Sequence, residues 1–264
     1  MPDTFSTCTT STFASEDPAG GAVLGLFGPW QPPITLTLPI AERVRAALMR
    51  ASGSAVPWQI SGKDELGRPR RGHDHLYVLP FSSQAAPGSR QVVDRVLLWA
   101  SSGLHESTLT VLDRLHQVGG WIRVVDRPRL RLEVLAVGSR DRLADSTPPQ
   151  IIGRARTWHS VTGFVAPRFP KRRRGEMFDS PEKQLLWLAA EVVGSVPRVL
   201  APVVLPAGCW SAFQQQRLAH ARSARRLAGG WLMRFSEPVD GPVVLGYGAH
   251  FGLGRFDAQD RITS

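Results

Sequence analysis

A chain of 264 residues, 42% of them hydrophobic, holds enough apolar side chain for two compact domains, which confines disorder to segments. Its 32 Lys+Arg against 22 Asp+Glu give a net charge of +10 and a pI near 11.0, and all but three of those cations are arginines, whose planar guanidinium grips phosphate in a bidentate manner and stacks on bases. Two cysteines, Cys8 and Cys209, make no disulfide framework, the seven histidines do not cluster into a metal centre, and neither a leader pattern nor a run of ~20 apolar residues is present, which predicts a cytoplasmic chain without membrane contact or cofactor.

Residues 1–21, rich in Ser, Thr, Gly and Ala, read as a flexible tail. Next, Ile34 to Leu38 alternates apolar residues with threonine, the pattern of a half-buried strand closed by Pro39. From Ile40 through Val44 and Leu48 the apolar spacing becomes helical and ends near Gly53, and a Gly/Pro-rich loop follows from Ser61 to Gly72. His73 to Leu79 and Val92 to Trp99 read as strands, Leu104 to Leu115 as a helix, and Leu130 to Ala136 as a strand. The order is βαββαβ, so a ferredoxin-like, RRM-like domain is expected over residues 30–141.

Ser139 to Gly153 reads as a linker, and a second domain is expected over residues 150–264. It opens with a strand, Trp158 to Val165, and a basic loop, Arg168 to Gly175. Ser180 as N-cap and Pro181 in the first turn then start a helix with Leu185, Leu188, Ala189 and Val192 on one face. Val199 to Leu205, Trp231 to Phe235 and Val243 to Tyr247 read as strands, with Gln214 to Leu227 as an arginine-rich helical insertion. The fold class predicted is therefore α+β, two tandem ferredoxin-like domains of which the second is a degenerate copy.

Charge is concentrated in that second half. Residues 154–234 hold fourteen Lys and Arg against four carboxylates, a balance equal to that of the whole chain. Such a local field is the footprint of a polyanion site. Within it, Arg168, Lys171, Arg172, Arg173 and Arg174 fall on the basic loop and Arg217, Arg222, Arg225 and Arg226 on the arginine-rich stretch, all candidate RNA contacts. Charge runs of this kind also serve simply as solvated faces.

Two further constellations could carry chemistry. The segment from Gly241 to Phe256 places Gly246, Gly248, Gly252 and Gly254 among Tyr247, His250, Phe251 and Arg255. Glycines let backbone N–H groups approach a phosphate while aromatics stack on bases, although a bulged sheet edge gives the same composition. In the predicted strand after Gly72, alternation puts His73, His75, Tyr77 and Leu79 on one face. Two imidazoles on one face suit general base and acid work on a ribose 2′-hydroxyl and a leaving 5′-oxygen; they also suit a hydrogen-bonded structural pair or an HxH metal pair.

The run from Gly72 to His75 leading into Leu79 and Pro80, the strand from Asp94 to Trp99, and the terminal segment from Gly241 to Gly254 together resemble the CRISPR repeat-processing endoribonucleases of the RAMP superfamily. The similarity spans roughly residues 30 to 257. It is nearest to the processing half of the fused backbone-and-processing subunit of type I-G (formerly I-U) systems, with the stand-alone processing subunit of type IV systems as the competitor. The fused proteins carry a further domain ahead of this region, so a stand-alone subunit is expected here.

The resemblance implies binding of the repeat hairpin of precursor CRISPR RNA and metal-independent cleavage by 2′-hydroxyl attack. It also implies retention of the product within an effector complex alongside other subunits. Carried onto this chain, the glycine loop falls on Gly246, Gly248, Gly252 and Gly254 and the strand histidines on His73 and His75. His250 is a rival base, and Arg255 and Arg71 are candidates to stabilise the phosphorane. A catalytically inactive hairpin-binding subunit is the alternative, and a basic DNA-binding protein a more distant one.

Overall fold

Residues 20–70, 72, 74–84, 91–124, 126–170, 172–173, 176–203, 209–213 and 228–259 are described, in a computed structural model; for 172, 173, 176 and 177 this covers the backbone alone. The first strand, β1 (Gly21–Phe27), begins at the last residue of the expected tail and ahead of residue 30, where the first domain was expected to start. Its run of small and apolar residues is buried on both faces, so it shows no polar alternation. Ala22, Leu24 and Leu26 enter one core, and Val23 enters another on the opposite side of the sheet.

After β1 come α1 (Thr37–Ala51), α2 (Trp58–Ser61), β2 (Tyr77–Phe81), β3 (Arg95–Trp99), α3 (Glu106–Val118), β4 (Gly120–Ile122) and β5 (Leu130–Gly138). The five strands form one antiparallel sheet in the order β2-β3-β1-β5-β4. Helices after the first and third strands, with β1 between β3 and β5, make this the ferredoxin-like unit; β4 is an added edge. The strand expected from Ile34 to Leu38 is instead a 3-10 turn, Ile34–Leu36, running into α1. Proline is tolerated in a first helical turn, and here Pro39 lies inside α1 while Thr37 donates its hydroxyl to the Ile34 carbonyl at 2.7 Å. The strand expected from His73 starts only at Tyr77, so His75 precedes it.

The expected linker contains two short helices, α4 (Arg140–Leu143) and α5 (Pro149–Ile152), whose Leu143, Ile151 and Ile152 pack under the first sheet. The second unit follows: β6 (Arg154–Ser160), β7 (Phe164–Val165), a hairpin of β8 (Arg172–Arg173) and β9 (Glu176–Met177), α6 (Pro181–Leu188), β10 (Val199–Pro202), β11 (Ala228–Gly229), β12 (Trp231–Asp240), β13 (Val243–Val244) and β14 (Arg255–Ala258). Ser180 caps α6 by accepting from the Lys183 N–H, with Pro181 next to it, as the sequence predicted.

Its main sheet is antiparallel in the order β10-β12-β6-β14-β13, which repeats the first sheet position for position, the short β13 standing where β4 stands. β14 follows the glycine segment and pairs with both β6 and β13. The chain is thus α+β with two ferredoxin-like units, and the second is degenerate in a definite way. β12 passes to β13 with no helix between them, and the glycine segment joins β13 to β14. The stretch from Gln214 to Leu227, expected to be helical, lies outside the described residues. No helix among the described residues is long and apolar enough to cross a membrane.

Candidate active site

The glycine segment is built for close packing. Gly246, Gly248, Gly252 and Gly254 all have positive φ. A Cβ at Gly254 would lie 1.9 Å from the Leu245 carbonyl oxygen, and one at Gly252 would lie 2.7 Å from Thr37 Cγ2 and 3.0 Å from Pro80 Cδ. Glycine is required at both positions by space as well as by backbone angle. The expected phosphate cradle is largely used up internally. The N–H groups of Leu245, Tyr247, Ala249, Phe251, Gly252, Leu253 and Gly254 donate to backbone carbonyls, and Thr162 Oγ1 donates to the Gly252 carbonyl at 2.7 Å. What the segment presents is a 3-10 turn, Ala249–Phe251, with Phe251 and Leu253 buried in the core of the first unit.

That turn delivers His250 to the residues just before β2. The His250 and His75 rings stack with centroids 3.6 Å apart and planes 20° from parallel, and Tyr77 lies 4.0 Å from His250 on centroids. Both imidazoles are half-buried. Burial pushes the Tyr77 hydroxyl well above its ordinary range, with the Asp74 carboxylate adding to the effect, so the phenol keeps its proton at neutral pH. Two imidazoles stacked on each other with the Tyr77 ring against them make a set whose imidazoles can accept and return protons.

Arg45 ties the two histidine-bearing segments together. From α1 its Nε donates to the Ile60 carbonyl at 2.7 Å and its Nη2 to the Ser61 carbonyl, while its guanidinium lies 5.6 Å from the centroid of Phe251, next to His250. Leu76 N–H donates to the Gln59 carbonyl at 3.0 Å, fastening the residue after His75 to the same turn. Sequence reading missed Arg45 because a lone arginine among other arginines on a helix carries no pattern.

Arg255 is placed elsewhere than its expected role requires. Its side chain is only 2% exposed, pairs with Asp257 at 2.9 Å and donates to the Pro80 carbonyl at 2.7 Å, so it joins β14 to β2. Arg168 is exposed, pairs with Asp179 at 3.1 Å and lies 5.6 Å from the Trp187 ring centroid. Arg172 and Arg173 form one arm of the short hairpin, which Phe169 and Phe178 flank in sequence; both are exposed, as is Trp187 beside Arg168, aromatic surface that the sequence reading did not single out. Arg71, His73, Lys171, Arg174, Arg217, Arg222, Arg225 and Arg226 lie outside the described residues.

No protein-family model matches the chain, and no curated protein matches it. Among solved structures it is similar to a Cas6 product complex at 15% identity, covering 91% of this chain and 99% of that one with a TM-score of 0.39. It is also similar to an RAMP protein binding different RNA substrates, at 14% identity, 91% and 98% coverage and a TM-score of 0.44. A second Cas6 product complex stands at 13% identity, 89% and 96% coverage and 0.38. At these values the likeness is one of chain course, and the functional reading rests on the geometry of this chain.

Proposed function

We propose that this protein is an endoribonuclease that binds the repeat hairpin of precursor CRISPR RNA and cleaves it without a metal ion. The observation that carries the reading is the His75–His250 stack with the Tyr77 ring beside it, assembled from two remote parts of the chain. One imidazole removes the proton from a ribose 2′-hydroxyl, whose oxygen attacks the adjacent phosphorus. The other gives a proton to the departing 5′-oxygen. The products are a 2′,3′-cyclic phosphate and a 5′-hydroxyl, and the proton count balances.

Arg71, His73 and the residues of the basic stretch from 168 to 226 complete the proposed site, the arginines on phosphates of the hairpin and His73 as a second candidate base. The exposed Phe169, Phe178 and Trp187 support this, since aromatic faces among cations are the pairing that holds RNA. After cleavage the product stays bound as part of an effector complex.

The test uses end-labelled repeat RNA in EDTA. Wild-type protein should yield a shortened fragment ending in a cyclic phosphate, and His75→Ala or His250→Ala should each slow its formation by about 10²–10⁴-fold while hairpin affinity stays within about threefold. Binding of the hairpin with no fragment formed would replace the nuclease with an RNA-capping subunit. Product formation at the wild-type rate in both variants would remove the imidazoles from the mechanism.

A further inference from the structure

Four exposed arginines outside the basic C-terminal stretch converge on the edge of the first sheet opposite β2. Arg43 and Arg50 come from α1, and Arg123 and Arg129 flank the turn between β4 and β5. With Trp121 and Val118 they line an open groove of about 800 Å3, floored by Ala47, Leu115 and Ile122. Asp126 is the single carboxylate along it among the described residues. None of the four arginines forms an ion pair among the described residues, unlike Arg68, Arg95, Arg131, Arg140, Arg156, Arg168 and Arg255, which all do.

The exposure of Trp121 has a local cause. Gly119, with φ at +69°, turns the chain out of α3, and its N–H donates to the Leu115 carbonyl at 2.8 Å. A Cβ at Gly120 would lie 2.6 Å from Leu115 Cδ1, so β4 sits tight against the helix. Strand alternation then turns Gly120 and Ile122 inward and Trp121 outward, leaving the indole 53% exposed. Arg50 Nη2 donates to the Trp121 carbonyl at 3.3 Å, which holds one cation beside the ring.

An indole left in water beside guanidinium groups without carboxylate partners offers a stacking face and a set of phosphate contacts together. We propose that this groove binds a single-stranded stretch of RNA, with arginines on its phosphates and a base on Trp121. An acidic polypeptide would satisfy the arginines but would leave the indole face without a purpose. β2 and β4 are four strand spacings apart, about 19 Å, so the groove is a separate contact from the imidazole cluster. The proposal does not rest on the cleavage reading.

A 4-thiouridine-bearing oligouridine with 2′-O-methyl groups, which no 2′-hydroxyl attack can cleave, is the probe. Irradiated with the full-length protein, it should cross-link to the tryptic peptide Leu115–Arg123. The yield on that peptide should fall about tenfold both in Trp121→Ala and in Arg43→Glu/Arg129→Glu, which keeps the tryptophan, with thermal melting of each variant unchanged. Absence of the cross-link, or its survival in the charge-reversed variant, would overturn the proposal. So would protection of the peptide from trypsin by polyglutamate but not by the oligouridine, which would mark a surface for an acidic protein.

Discussion

The two units share a strand order but close it differently. In the first, α3 links β3 to β4 and, with α1, covers one face of the sheet with its own residues. In the second, β12 runs directly into β13, whose Val244 joins the apolar layer under the first sheet, and the glycine segment that follows places Phe251 and Leu253 in the core of the first unit and Ala249 in that layer. The second unit, with only a turn between β12 and β13, thus completes the core of the first and lends it a side chain, His250 against His75.

The comparison breaks first where the loop is tightest. Gly254→Val puts a branched side chain at positive φ against the Leu245 carbonyl, and stability should fall by about 3–5 kcal/mol, read as a lower urea midpoint. The same substitution at Gly53, which also has positive φ but nothing within 4 Å of a Cβ, should cost about 1–2 kcal/mol through its backbone angle alone. Equal losses at the two sites would mean that the loop is not packed as described.

Arg255→Leu probes the joint between the units. It leaves the Asp257 carboxylate and the Pro80 carbonyl without their guanidinium, and about 3 kcal/mol should be lost. Cleavage by the protein that remains folded should be little changed. A variant of normal stability with no cleavage would return Arg255 to the catalytic role that the sequence suggested.

The ferredoxin order of the first unit was legible because α1, α3, β3 and β5 carry clean helical or alternating patterns. β1 was not, since burial on both faces erases alternation and its Gly and Ala residues carry little hydrophobic signal. Ile34 to Leu38 misled because threonines spaced by apolar residues fit a strand locally, while packing of Leu38, Ile40 and Val44 against the sheet selects the helix. At the site, His75 and His250 were each readable as candidates, but their contact links residues 175 positions apart and no local pattern encodes it. The glycine segment was read as a phosphate cradle, whereas most of its N–H groups are satisfied within the protein.

A smaller effect is expected at Arg45, whose bonds to the Ile60 and Ser61 carbonyls and contact with Phe251 join the segments that carry the two imidazoles. Arg45→Lys supplies one flexible donor group where a rigid fork spans the Ile60 and Ser61 carbonyls and lies against Phe251. Turnover should drop about tenfold with KM nearly unchanged, and the ring-proton resonances of His75 and His250 should both shift. A purely structural arginine would lower the melting temperature and leave the rate per folded molecule and those resonances alone.

The smallest effect is confined to alkaline solution and concerns Tyr77. Its hydroxyl titrates above the ordinary tyrosine value because it is buried, with Asp74 contributing, so the folded state holds the proton more tightly than the unfolded chain. Below about pH 10 both states are protonated and the full stabilisation is present; as pH rises past that value the unfolded chain ionises first, and stability falls until the folded phenol titrates too. Urea midpoints at about pH 9 and about pH 11 should therefore diverge more for wild type than for Tyr77→Phe, which has no proton to lose. Parallel declines in the two proteins would mean that the phenol is open to solvent and that the ring against His250 is not buried as described.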